Sequence, residues 1–128
     1  MIYTICIVSG PTSQAPMTAL KFAQAVLQKK HTINKVFFYM DGVYNTSKFI
    51  IGSEYHKNIS QEWKTLIKQN NLTAVACVSA ALKRGIIDSE EAKINNFSDF
   101  NLDNNYEISG ITQWISAIVE SDRHIVFG

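Results

Sequence analysis

Apolar residues along this chain alternate between two rhythms. Ile2 to Val8 is a nearly continuous apolar run, broken only by Thr4, and it stops at Ser9-Gly10-Pro11. A short apolar run ending in a turn signal predicts a buried strand. From Ala15 to Gln28 the apolar residues Met17, Leu20, Ala23, Val26 and Leu27 recur at helical spacing, with Pro16 in the first turn, where its missing N–H is harmless. Ile33 to Tyr39 predicts a second strand around Val36-Phe37-Phe38, and Asp41-Gly42 predicts a turn after it.

Residues 43 to 59 mix Tyr44, Phe49, Ile50 and Ile51 with small polar residues, which predicts a helical turn and a loop. Ser60 is expected to cap a helix running to about Asn70, with Trp63, Leu66 and Ile67 facing inward. Leu72 to Cys77 reads as a third strand, and Val78 to Arg84 as a short helix stopped by Gly85. Asp88 is expected to cap a brief helix over Ser89 to Lys93, followed by a polar loop from Asn95 to Asn105. Ile111, Trp114, Ile115, Ile118 and Val119 mark a last helix, and His124 to Phe127 a closing strand. Strand and helix signals that alternate in this way imply an α/β fold: one doubly wound domain over 1–128, a mostly parallel sheet flanked by helices, of flavodoxin-like character.

Composition adds two constraints. A chain of 128 residues makes one domain, which buries roughly two-thirds of the surface its unfolded chain exposes and needs no staple. Charged residues are 18% of the chain while hydrophobic ones are 46%, a balance that hints at apolar surface reserved for other subunits. The net charge of +1 comes without a basic cluster, since Lys29-Lys30 and Lys83-Arg84 are isolated pairs. A nucleic-acid backbone is gripped by clustered cations, so direct binding to RNA or DNA is not expected. The first strand lacks the charged flank of a signal peptide, and no segment is long and apolar enough to span a bilayer. A cytoplasmic location is expected, where free thiols persist.

The chemistry centres on Cys77. It stands where a predicted strand ends and a predicted helix begins, the edge at which ligands and reactions collect in open α/β sheets. Helix N–H groups favour an anion there, and the thiolate, not the thiol, is the nucleophile. Ser79, Ala80 and Ala81 are small and leave room for another protein's thiol to approach. With no Cys-x-x-Cys partner, a lone accessible thiolate suits hand-over of sulfur between proteins better than dithiol redox cycling. Buried cysteine is also a common small core residue, and that reading stands beside the functional one.

The other candidates read as structure. Cys6, between Ile5 and Ile7 in the first strand, is core. The hydroxyl-rich loop Ser9 to Gln14 is placed where a phosphate could bind, but it lacks the glycine fingerprints and reads as capping residues. His31, His56 and His124 form no metal-ligand spacing. Lys83-Arg84 read as a solvated helix end able to raise the potential around Cys77 or dock an acidic partner, and Asp122-Arg123 as a surface pair or turn.

Four stretches in order carry a resemblance over nearly the whole chain. They are Phe22 to Ala25, Val36 to Asn45, Cys77 to Gly85, and Ser109-Gly110 through Asp122-Arg123. Together they resemble the DsrE/TusD family of sulfurtransferase subunits. That resemblance implies a DsrE-like fold, a persulfide carried on Cys77, and neither cofactor nor metal. It also implies TusB-like and TusC-like partners in a heterohexamer, a TusA-like sulfur donor and a TusE-like acceptor. It implies further that membrane and nucleic acid are not contacted directly and that the relay ends in 2-thiolation of the tRNA wobble uridine. Departures from the family pattern are Lys83 in place of an expected arginine, a short, glycine-poor first loop, and the segment Ile51 to Asn58. Three other readings remain open: a DsrE-type subunit of a sulfur-oxidising system, a non-catalytic scaffold, and a flavin-binding carrier.

Overall fold

The apolar run at the amino terminus becomes an inner strand of a sheet in the computed structural model, which describes residues 1–53 and 58–128. The elements run β1 (Ile2–Ile7), α1 (Ala15–Gln28), β2 (Thr32–Phe38), a 3-10 helix η1 (Met40–Thr46) and α2 (Ile59–Asn70). Then come β3 (Ala74–Cys77), α3 (Val78–Lys83), α4 (Ser89–Ile94), β4 (Glu107–Ser109), α5 (Ile111–Val119) and β5 (Arg123–Phe127). The sheet has five strands in the order β4-β3-β2-β1-β5, and every pairing is parallel. The sheet is thus parallel throughout, and its strand order differs from the 2-1-3-4-5 order of flavodoxin.

Strand alternation assigns each residue to one layer. Val36 and Phe38 of β2 lie on one side, where Phe38 meets the Trp63 ring of α2 edge-on at 6.1 Å, and Trp63 Nε1 donates to the Pro16 carbonyl at 2.9 Å. Phe37 lies on the other side, stacked on Trp114 of α5 with ring centroids 5.6 Å apart. On that same face Thr4 Oγ1 donates to the Ala117 carbonyl of α5 at 3.1 Å, which satisfies the buried polar side chain of the first strand. The second sheet face therefore depends on the nine-residue helix α5 for cover.

Several expected boundaries shift. Asn58, not Ser60, caps α2: its Oδ1 accepts from the Gln61 N–H at 3.1 Å, while Ser60 is buried inside the first turn. The expected Asp41-Gly42 turn is absorbed into η1. Trp63 and Ile67 are buried as expected, whereas Leu66 is half-buried, and β3 starts at Ala74 rather than Leu72. Asp88 does cap α4, accepting from the Glu91 N–H at 2.9 Å. The stretch read as polar loop runs on into strand β4, whose Glu107-Ile108-Ser109 lacks an apolar run because it lies at the sheet edge. On α5 the expected apolar residues do not all face the sheet. Ile111, Ile115 and Val119, four residues apart, form an exposed stripe, with Val119 79% exposed.

The loop above β1 and β2 is fixed by one close approach. A Cβ on Gly42 would fall 1.9 Å from the Ile7 carbonyl oxygen, so only glycine lets η1 lie against the end of β1. Gly42→Ala is expected to lower unfolding free energy by about 2 kcal/mol, since a methyl forced against backbone displaces the whole segment. A urea titration showing an unchanged midpoint would contradict this packing.

A second prediction concerns His124. Its Nε2 accepts from the Trp114 indole N–H at 2.9 Å, and burial holds its pKa below the usual 6.5. Protonation fills that acceptor and charges a partly buried ring. The unfolded chain then binds the proton more readily, so stability is full above about pH 6.5 and falls as pH drops through the lower folded value. The urea midpoint is expected to fall between pH 7.5 and pH 5, and His124→Gln is expected to flatten that fall. Equal slopes in both proteins would exclude His124 as the cause.

Candidate functional site

Cys77 is the last residue of β3 and the residue that caps α3. The strand reaches this point because Ala74, Val75 and Ala76 are small or β-branched and fully buried between the neighbouring strands. The chain then turns into Val78–Lys83 and stops at Gly85, whose φ of +74° is a left-handed position that glycine adopts freely. Since the strands are parallel, the carboxyl ends of β1, β2 and β3 open on one edge. That edge carries η1, α3 and the start of α5.

The registers identify what surrounds the sulfur. Cys6 pairs with Phe37, and Phe37 with Val75, so all three lie on the α5 face. Cys77, two residues beyond Val75, faces the same way. Its cross-strand partner is Ser109, and Gly110 follows as the first cap of α5. Two helices thus begin beside Cys77. Both carry unsatisfied N–H groups in the first turn, and α3, at six residues, offers those groups rather than a long summed dipole. The Cys77 Sγ lies 3.6 Å from the Ser79 Oγ, so the hydroxyl can donate to a thiolate.

One expectation needs correction. Cys77 is not an open thiol: it is only 1% exposed. Of the small residues at positions 79 to 81 that leave room in the sequence, Ala80 and Ala81 are instead drawn inward and buried against η1. Ser79 remains exposed and is the polar group that leads from Cys77 toward solvent.

Arg84 does not stand free in solvent. Its Nε donates to Asp41 Oδ1 at 2.8 Å and its Nη1 to the Ala80 carbonyl at 3.2 Å, which ties α3 to η1 across the edge. Lys83 beside it is exposed and makes no ion pair among the described residues. Between the two elements lies a shallow cavity of about 220 Å³, lined by Tyr39, Met40, Ser79, Ala80, Lys83 and Arg84. Sequence reasoning read Asp41 as a turn residue and did not pair it with Arg84, because 43 residues separate them and no local pattern links them.

The remaining candidates are dispersed. Cys6 is fully buried, and desolvation, with the nearby Cys77 charge adding to it, pushes its thiol up to about 12. It stays protonated and unreactive at neutral pH. In the Ser9–Gln14 loop, Ser13 Oγ donates to the Gly10 carbonyl at 2.7 Å, and Asn45 Nδ2 to the Ser9 carbonyl at 2.9 Å. The loop is thus held by Ser13 within it and by Asn45 of η1. Asp122 Oδ2 accepts from the Ile2 N–H at 2.7 Å and anchors the start of β1. His31 Nδ1 is 3.0 Å from the terminal amine, His124 pairs with Trp114, and His56 lies outside the described residues. Among the described residues no group of three His, Cys, Asp or Glu is placed to hold a metal.

An all-parallel α/β sheet presenting one cysteine at its strand ends defines the class, and comparison with known proteins defines the family. Residues 1–127 match the DsrE/DsrF-like family model. A DsrE protein of Allochromatium vinosum is 39% identical, covering 100% of this chain and 99% of that protein. The "Sulfurtransferase TusD homolog" of Pseudomonas aeruginosa is 35% identical over 100% of this chain and 98% of its own length. "Sulfurtransferase TusD" of an Enterobacter species is 36% identical, covering 94% of this chain and 95% of that one. Among solved structures, the ychN protein of E. coli superposes with a TM-score of 0.77 at 18% identity, covering 98% of this chain and 97% of that chain. The chain belongs to the DsrE/DsrF-like family. Its full-length relatives support a sulfurtransferase.

Because Cys6 is buried and protonated, Cys6→Ala is expected to leave alkylation by iodoacetamide confined to one cysteine and unchanged in rate. Peptide mapping checks this, and a rate lowered more than about twofold would assign Cys6 part of the reactivity.

Proposed function

We propose that this chain is the sulfur-carrying subunit of a cytoplasmic relay, with Cys77 as the carrier. The observation that carries the proposal is the position of Cys77 at the carboxyl edge of an inner parallel strand, in a chain whose full-length relatives are named sulfurtransferases. The absence of a basic cluster agrees with a component that passes sulfur between proteins and leaves the tRNA to another enzyme.

The Cys77 thiolate attacks the outer sulfur of a donor cysteine persulfide. The donor's S–S bond breaks, a new S–S bond forms at Cys77, and the donor leaves as a thiolate. An acceptor thiolate then attacks the outer sulfur of Cys77–S–SH in the same way, and Cys77 returns as thiolate. No net oxidation occurs, and no cofactor is required. The first-turn N–H groups and the Ser79 hydroxyl offset the negative charge while it rests on Cys77.

The donor in this reading is TusA-like and the acceptor TusE-like, with TusB-like and TusC-like subunits completing a heterohexamer. The relay serves 2-thiolation of the tRNA wobble uridine. The exposed stripe of Ile111, Ile115 and Val119 supports the subunit assembly, since a monomer leaves such a row in water. The 39% identity to the Allochromatium vinosum DsrE protein supports a second reading, in which the same cysteine serves sulfur oxidation.

Two measurements separate these readings. Incubation with a persulfide donor is expected to add one sulfur atom to Cys77 by mass spectrometry, and Cys77→Ser is expected to cut transfer to an acceptor at least about a hundredfold. Transfer at the original rate by Cys77→Ser protein would leave the chain a scaffold. In the native cell, deletion is expected to lower the 2-thiouridine content of tRNA. An unchanged content with impaired sulfur oxidation would favour the second reading.

A further inference from the structure

We propose that sulfur reaches Cys77 through the cleft between the Tyr39-Met40 corner and α3, and that Lys83 at its mouth receives the anionic, cysteine-bearing segment of the partner. This rests on the proposed role of Cys77, and it adds the route and the charge that the partner must present. The route follows from burial. Cys77 is 1% exposed, and its polar contact is Ser79 Oγ at 3.6 Å. Ser79 lines the cleft of about 220 Å³ together with Tyr39, Met40, Lys83 and Arg84. Two larger cavities lie along α1 and α2, lined by residues such as Lys64, Lys68, Lys21 and Gln24, and none of their lining residues adjoins Cys77.

The walls of this cleft are set unequally. Arg84 is bound to Asp41 and Ala80, so α3 is clamped to η1 at one end. Met40 at the opposite wall is half-exposed and has a φ of +51°, a left-handed conformation costly for a residue with a side chain. The Tyr39 N–H donates to the Ile7 carbonyl at 3.0 Å and holds the backbone of this corner, so the exposed Met40 side chain is the part that can swing aside while the clamp keeps α3 in register.

Charge decides what enters. Among the described residues no carboxylate lines the cleft; Asp41, at its edge, offsets the charge of Arg84, and Lys83 is left without an ion-pair partner among them. Sulfur transfer moves one negative charge from the Cys77 thiolate to the departing donor thiolate. A donor seated in the cleft releases that charge near Lys83, and an acceptor brings its thiolate in past the same residue. The partner segment is therefore a thiolate-bearing and net anionic peptide, and a basic one is repelled.

The test uses two probes of similar size on Cys6→Ala protein, in which Cys77 is the one cysteine. Iodoacetamide is neutral and iodoacetate is an anion. Any change in thiolate fraction alters both rates alike, so their ratio isolates the field along the route. Lys83→Glu is expected to lower the iodoacetate-to-iodoacetamide ratio about threefold to tenfold at low ionic strength, with Lys83→Gln in between. The difference is expected to collapse in about 1 M salt. A ratio unmoved by either substitution would overturn the route, whether or not Cys77 carries sulfur. Persulfide loading of Cys77 tests that role separately.

Discussion

The approach of Gly42 to the Ile7 carbonyl holds the working edge of this molecule together. A single methyl there would fall 1.9 Å from a backbone oxygen, so η1 can lie over the end of β1 only because residue 42 has no side chain. From that contact the rest follows in sequence. Asp41 is brought beside α3, Arg84 is clamped to it, and the helix that starts at Cys77 is pinned over the sheet. The residues of this edge come from β1, β2 and β3, far apart in the chain, and parallel pairing alone brings their ends level.

This arrangement separates two cysteines that share a sheet face. Cys6 lies mid-sheet with no helix start near it, and burial keeps it a thiol. Cys77 is two residues further along the face, where strand gives way to helix. The difference between an inert and a usable sulfur is here one of position along a strand, not of residue type. Burial of both also limits side reactions, because a buried sulfur is shielded from small oxidants and stray thiols.

Much of the fold was legible in the sequence because its periodic segments are strong. The helix over Ala15–Gln28 and the end of β3 at Cys77 fall where apolar spacing and turn residues place them. What escaped was set by tertiary contact. β4 is short and lies at an edge, so its residues carry no apolar run. The Asn58 cap precedes the expected Ser60 because either side chain can satisfy the first N–H groups, and the helix starts at Ile59, which leaves Ser60 inside the first turn. At the site, the cysteine and its place were readable, but its burial was not. Alanine at positions 80 and 81 signals either open space or close packing, and only the neighbour η1 shows which. The Arg84–Asp41 pair likewise has no local signature.

The α5 face shows the same limit from the other side. Its apolar residues announced a helix correctly, yet one row faces the sheet through Trp114 and Ala117 while another, through Ile115 and Val119, faces outward. Apolar spacing reports that a surface is covered, not whether its own chain covers it. The chain's own fold leaves that row in solvent.

The central claim is that one of two cysteines, chosen by its place on the sheet, holds transferable sulfur. Persulfide-specific labelling of the protein after exposure to a sulfur donor, followed by peptide mapping, tests it most directly. The label is expected on the peptide containing Cys77, with the Cys6 peptide unmodified. Label on Cys6, or shared between the two, would contradict the account.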